Sequence, residues 1–91
     1  KPAAGLHELR RQIDQIDTQI VNLLGQRATV VYQIARYKVG AEQVRDPKRE
    51  EEILERVRAL ALAHGLEPGV VDEMYRLLFS YFVSLQLRSK K

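Results

Sequence analysis

The sequence predicts an all-α fold with three helices per chain, the first of them unusually long. Three observations predict it. Apolar residues recur at helical spacing along most of the chain, whereas no segment alternates with period two over a useful length. The breaks are few and fall where helices end: around Gly40, at Asp46-Pro47, at His64-Gly65 and at Glu67-Pro68. These place helices near 6–39, 47–64 and 68–88. No internal repeat and no low-complexity linker interrupts the pattern, so residues 1–91 read as a single domain.

The first helix carries the clearest signal. Leu6, Leu9, Ile13, Ile16, Ile20, Leu23, Arg27, Val30, Ile34 and Tyr37 are spaced alternately by three and four, which is a heptad seam. A helix over this span is ~51 Å long at 1.5 Å per residue. A compact chain of this length has a radius of gyration of only ~12 Å. The helix therefore overhangs any monomeric globule, and its seam needs a partner, most simply a second copy of itself.

The second helix opens with Asp46 as N-cap and Pro47 at its first position, and Gly65 caps its end. It is amphipathic, with Ile53, Leu54, Val57, Leu60 and Ala61 expected inside and Glu51, Glu52, Glu55, Arg56 and Arg58 in water. The third is apolar almost all round: Val70, Val71, Met74, Leu77, Leu78, Phe79, Tyr81, Phe82, Val83 and Leu85. Such a helix is expected to be buried on every side, at the centre of the protein with the middle of the first.

Composition excludes several kinds of function. There are no cysteines, hence no disulfide, thiolate metal site or cysteine nucleophile. His7 and His64 lack metal-ligand spacing and read as surface residues, so no metal or cofactor is expected. No apolar run approaches the ~20 residues that span a membrane. The N-terminus has neither an apolar signal segment nor a Met, as expected of a chain trimmed or cut from a longer one. A reducing, cytoplasmic setting fits. The net charge of +3 suits an anionic partner, although the two signs are interleaved along the chain as on a solvated surface.

Polar residues stand where a core is expected. Arg27 occupies a seam position between Leu23 and Val30. A buried guanidinium without an anion is costly, so three roles compete: pairing with a carboxylate, reaching the surface, or binding an anionic ligand. Lys38 follows eleven residues later, within about 20° of the same helix face and ~16 Å along the axis. Two long side chains there can converge on one small molecule, or Lys38 can serve as a cation near a helix C-terminus. Tyr75, Phe79, Phe82 and Gln86 form a stripe ending in an amide, which needs partners if buried and otherwise reaches water. The charges of 45–50 crowd a helix N-terminus and are expected to lie mostly in water, and Asp46 is adequately explained as a cap. Arg10 precedes Lys38 by ~42 Å of straight helix, so it can join a site with Arg27 and Lys38 only from another chain.

Taken together, "LRRQIDQID" at 9–17, "LLGQR" at 23–27, "IARYK" at 34–38, "VRDPKREEEIL" at 44–54 and the Gln of "SLQL" at 84–87 resemble the all-helical, type II chorismate mutases. The match spans about residues 6–88. The resemblance implies an intertwined homodimer with two sites shared between chains, each binding the small dianion chorismate and converting it to prephenate. It implies that Arg10 of the partner chain and Arg27 hold substrate carboxylates and that Lys38 and Gln86 bind the ether oxygen. It implies further that Asp46 and Glu50 meet the ring hydroxyl and that Arg49 lines the pocket. No cofactor is implied, and the setting would be aromatic amino acid biosynthesis by the shikimate pathway. One departure stands out. Some mutases carry a Ser near Phe82 that helps hold a carboxylate, whereas here Tyr81 and Phe82 stand there. An aromatic pair and an "RYK" ending are similar to the isochorismate-pyruvate lyases of the same fold. Those lyases tend to lack an acid at Glu50, which favours the mutase.

The implied reaction is an intramolecular Claisen rearrangement, which requires no nucleophile and no proton transfer. It needs the enolpyruvyl arm held over the ring and negative charge stabilised on the ether oxygen. Guanidinium forks suit the first task, and paired donors such as Lys38 and Gln86 suit the second. Two other classes compete. A nucleic-acid-binding module is disfavoured because basic residues are spread over all three helices with acids between them. A plain dimerisation module leaves Arg27 unexplained. Neither nucleic acid nor membrane is expected as a partner.

The overhanging seam generates a direct test. Sedimentation equilibrium at micromolar concentration is expected to give twice the 10.5 kDa chain mass. A well-folded monomer would rule out a site shared between chains.

Overall fold

A computed structural model of the chain describes residues 2–37 and 44–89, with the side chains of 5–37 and 44–88. The helices are α1 (Pro2–Ala35), α2 (Pro47–Ala63) and α3 (Pro68–Ser89), in the predicted order. Among the described residues no helix is long and apolar enough to cross a membrane. The chain groups into two compact units, Lys1–Val30 and Val31–Lys91.

The first unit is a single stretch of helix without a core. Leu6, Leu9, Ile13, Ile16, Ile20, Leu23 and Val30 keep 48–60% of their surface in water. Its internal polar contacts are local: Arg11 pairs with Glu8 at 2.8 Å, and the Thr18 and Thr29 hydroxyls donate to the carbonyls of Asp14 and Gly25. Toward its end the less exposed positions are Leu24, Arg27 and Ala28, followed in the second unit by the buried Val31 and Ala35. This stripe lies mostly one residue beyond the seam, so the seam itself stays open.

α1 starts earlier and stops sooner than its periodicity predicts. It ends at Ala35 rather than near 39. Arg36 N–H donates to Gln33 O at 3.2 Å and Tyr37 N–H to Ile34 O at 2.9 Å, the three-residue bonds of a helix tightening as it terminates. Apolar spacing reports which side chains share a face and is blind to such backbone tightening.

The second unit is built on a hairpin of α2 and α3. Ile53, Leu54 and Val57 bury against Phe79, with Val71 and Tyr75 packed on the cluster. Tyr75 meets Phe79 edge-on, ring centres 6.2 Å apart. Asp46 caps α2 through a 3.1 Å bond from Arg49 N–H to its Oδ1, and Pro47 fills the first helical position. The far end closes as a Schellman motif: Leu66 N–H donates to Ala61 O at 2.8 Å and Gly65 N–H to Leu62 O at 3.2 Å. Gly65 takes φ 75, the left-handed conformation the motif requires. Both turns follow the reading of the sequence.

Ion pairs set the register of the hairpin. Arg58 Nε lies 3.1 Å from Asp72 Oδ2, while its Nη2 reaches Glu51 at 3.2 Å. Arg76 also bonds Asp72, and that carboxylate holds its guanidinium above its ordinary pKa, chiefly through the hydrogen bond.

Two burial expectations need correction. α3 is not buried on every side: Val70, Met74, Leu77 and Tyr81, at i, i+4, i+7 and i+11, form an exposed apolar stripe opposite the face that packs on α2. Leu60, expected inside, is exposed too. A single chain has too few elements to enclose a helix from all directions.

Gly65→Ala is expected to lower the unfolding free energy by about 1–2 kcal/mol, the cost of a Cβ in the left-handed region. Nothing lies within 4 Å of the added carbon, so strain alone is measured. Urea denaturation followed by circular dichroism reads it.

Candidate functional site at the open end of the hairpin

The first turn of α2 collects charge because its cap does. In a capped helix the residue before the N-cap folds back toward the fourth helical residue, positions often filled by an apolar pair. Here they are Arg45 and Glu50. Arg45 Nη2 donates to Glu50 Oε1 at 3.3 Å, and Nε lies 3.3 Å from Oε2. The Glu50 side chain is only 19% exposed. Glu50 N–H donates to Asp46 O at 2.9 Å, so cap and carboxylate are fixed by one turn of backbone. Arg49 points outward and pairs with Glu52 at 3.5 Å.

Gln86 is the one polar side chain that is buried among the described residues, at 7% exposure. It ends the stripe that runs from half-buried Tyr75 through buried Phe79 and Phe82. Of the two readings the sequence left open, water or burial, the packing selects burial. Register then places it. Arg58 faces Asp72 across the hairpin, and the helices run in opposite directions. Fourteen residues beyond Asp72, ~21 Å along α3, Gln86 comes level with the start of α2. Asp46, Arg49, Glu50 and Gln86 therefore share one end of the hairpin, away from the turn at Gly65.

The remaining predicted residues are placed by themselves. Arg10 is exposed on α1 and Arg27 half-buried on it. Lys38 lies outside the described residues. His7 and His64 are both exposed, as expected. The reading of the sequence missed Arg45, treating the charges of 45–50 as mostly solvated. The available signal was the capped turn: with Asp46 as N-cap, residues 45 and 50 are neighbours.

The end of the hairpin thus offers a buried amide and a restrained carboxylate, suited to polarising and orienting a bound molecule without covalent attack. Comparison with known proteins identifies the family. The family model for chorismate mutase type II matches residues 9–87. The chorismate mutase of Methanocaldococcus jannaschii is 30% identical over 83 residues, covering 89% of this chain and 83% of that protein. The bifunctional chorismate mutase/prephenate dehydratase of Aquifex aeolicus is 35% identical over 91 residues, but the match covers only 25% of its length. The isochorismate pyruvate lyase of Pseudomonas aeruginosa is 27% identical over 92% of this chain.

The cap bond makes Asp46 separable into two roles. Asn caps a helix as well as Asp, so Asp46→Asn is expected to keep the unfolding free energy, while Asp46→Ala loses about 1 kcal/mol. Any fall in turnover shared by both variants, with urea stability retained in the first, then measures the carboxylate and not the cap.

Proposed function

The chain belongs to the type II chorismate mutase family, and from that premise we propose that it works as a dimer interlaced along the α1 seam, with two sites built from both chains. It is a chorismate mutase domain, an isomerase, with chorismate as the substrate the family implies. Buried Gln86 carries the assignment of its site, because it puts an amide donor where an otherwise apolar stripe would continue. In this reading residues 1–91 act as one domain only when two copies complete each other.

The rearrangement breaks a C–O bond as a C–C bond forms, within one molecule. Arg27 and the partner's Arg10 grip the two carboxylates and hold the enolpyruvyl arm over the ring. Lys38 and Gln86 donate to the ether oxygen, where negative charge grows as the bond breaks. Glu50, with Asp46, receives the ring hydroxyl, and Arg49 adds positive potential at the pocket edge. A cross-chain origin for Arg10 follows from α1 itself. Arg10 and Arg27 lie on one helix, ~26 Å apart along it, beyond the reach of a small substrate.

A second reading has one observation in its favour. Tyr81 and Phe82 meet at a tilt of 58° with ring centres 5.3 Å apart, the aromatic pair that resembles isochorismate-pyruvate lyases. Glu50 favours the mutase. Incubation with chorismate and separately with isochorismate, identifying each product, decides between them: prephenate supports the first, pyruvate with salicylate the second.

Subunit mixing tests the shared site. Lys38→Ala is expected to lower kcat by about 10²–10³-fold, as for loss of one donor to a developing oxyanion, and Arg10→Ala removes a clamp from both sites. When the two variants exchange subunits at random, about half the dimers are mixed and about one site in four recovers both residues, so activity rises to roughly a quarter of wild type. No recovery, with exchange verified by mass spectrometry, would show that both residues come from one chain.

A further inference from the structure

We propose that Arg45 is a positioning residue of the site, holding the Glu50 carboxylate in the orientation that receives the substrate's ring hydroxyl. The inference rests on the reading of Glu50 given above and adds to it a residue outside the implied set. Its basis is geometric. The guanidinium meets the carboxylate side-on, Nη2 to Oε1 and Nε to Oε2, both at 3.3 Å. The backbone of the capped turn delivers it there, since Asp46 accepts from Arg49 N–H and Glu50 N–H bonds back to Asp46 O.

A lone surface ion pair would do little. This one differs in the inequality of its partners: Arg45 is 53% exposed while Glu50 is 19% exposed. The more enclosed group is the one with a function to perform. A free Glu side chain has three torsions to settle, and an acceptor aimed at one hydroxyl must settle them all before substrate arrives. The fork supplies that order. It also leaves room for the ligand, because an ionised carboxylate offers about four acceptor positions and the hydrogen bond from Nη2 takes one of them, on Oε1. Another cation of the same turn, Arg49, pairs with Glu52 at 3.5 Å and does not duplicate the role.

The ring hydroxyl is not on the bond that breaks or forms. Its anchor therefore contributes binding shared by ground and transition states, so loss of the fork appears in KM rather than kcat. Arg45→Ala is expected to raise KM for chorismate about three- to ten-fold with kcat within about two-fold of wild type. Arg45→Lys keeps the charge without the fork and is expected to fall between. Steady-state kinetics on the dimeric enzyme test this in a cycle with Glu50→Gln. If Arg45 acts through Glu50, Arg45→Ala adds nothing in the Glu50→Gln background. A merely structural Arg45 would lower thermal stability and reduce kcat equally in both backgrounds. Unchanged kinetics in Glu50→Gln would overturn the reading of Glu50 and this proposal with it. A Glu50→Gln effect with Arg45→Ala neutral, or fully additive, would overturn the proposal alone. Arg45→Lys keeps the comparison available if Arg45→Ala does not fold.

Discussion

The apolar seam of α1 is the constraint on which the rest depends. From Leu6 to Val30 a line of large aliphatic side chains stays about half exposed. Covering the remainder contributes on the order of 1 kcal/mol per residue. An isolated helix is marginal in water, and its stability normally comes from packing such a face. A heptad seam kept over this length and left about half exposed in a single chain is the face that the proposed dimer covers. The exposed stripe of α3, Val70, Met74, Leu77 and Tyr81, is a second surface of the same kind. The proposed dimer accounts for both, and it turns the length of α1 into a means of carrying Arg10 to a site in the partner.

The hairpin of α2 and α3 solves a different problem. In the proposed site it presents an amide and a carboxylate at fixed positions, although both belong to long side chains. The fixing is local at one and tertiary at the other. Glu50 is held by one capped turn, in which Asp46, Arg49 N–H and Arg45 all take part. Gln86 is held by burial at the end of a stripe whose aromatic members anchor α3 on α2. The Arg58–Asp72 pair, nearer the closed end of the hairpin, keeps the two arrangements in register.

Such a site suits a reaction without covalent chemistry. A rearrangement within one bound molecule gains from a preorganised geometry and from donors at the atom where charge develops. Arginine, lysine and glutamine provide both, and the chain carries neither cysteine nor a Ser-His pair to suggest another route. The same clamp would accept isochorismate, whose breakdown also begins at the ether bond. In the proposed site the cations point to the substrate class, while Glu50 and the pair Tyr81 and Phe82 bear on which reaction follows.

Everything that depends on local sequence could be read from the chain directly. The three helices, the cap at Asp46, the turn at Gly65 and the identity of the family each reside in a few consecutive residues or in a period, because helical hydrogen bonds and capping bonds reach only three to five residues. The seam was legible for the same reason. What periodicity cannot report is enclosure. It marked α3 as apolar all round, yet whether a face is buried depends on how many other elements are present, and a single chain leaves Val70, Met74, Leu77 and Tyr81 in water. It left Gln86 between solvent and core, and only the packing of α3 on α2 decided for the core. Arg45 was passed over among its charged neighbours, although the cap at Asp46 already makes residues 45 and 50 neighbours. Burial and ion pairing are relations between surfaces, and those exist only once the chain has folded.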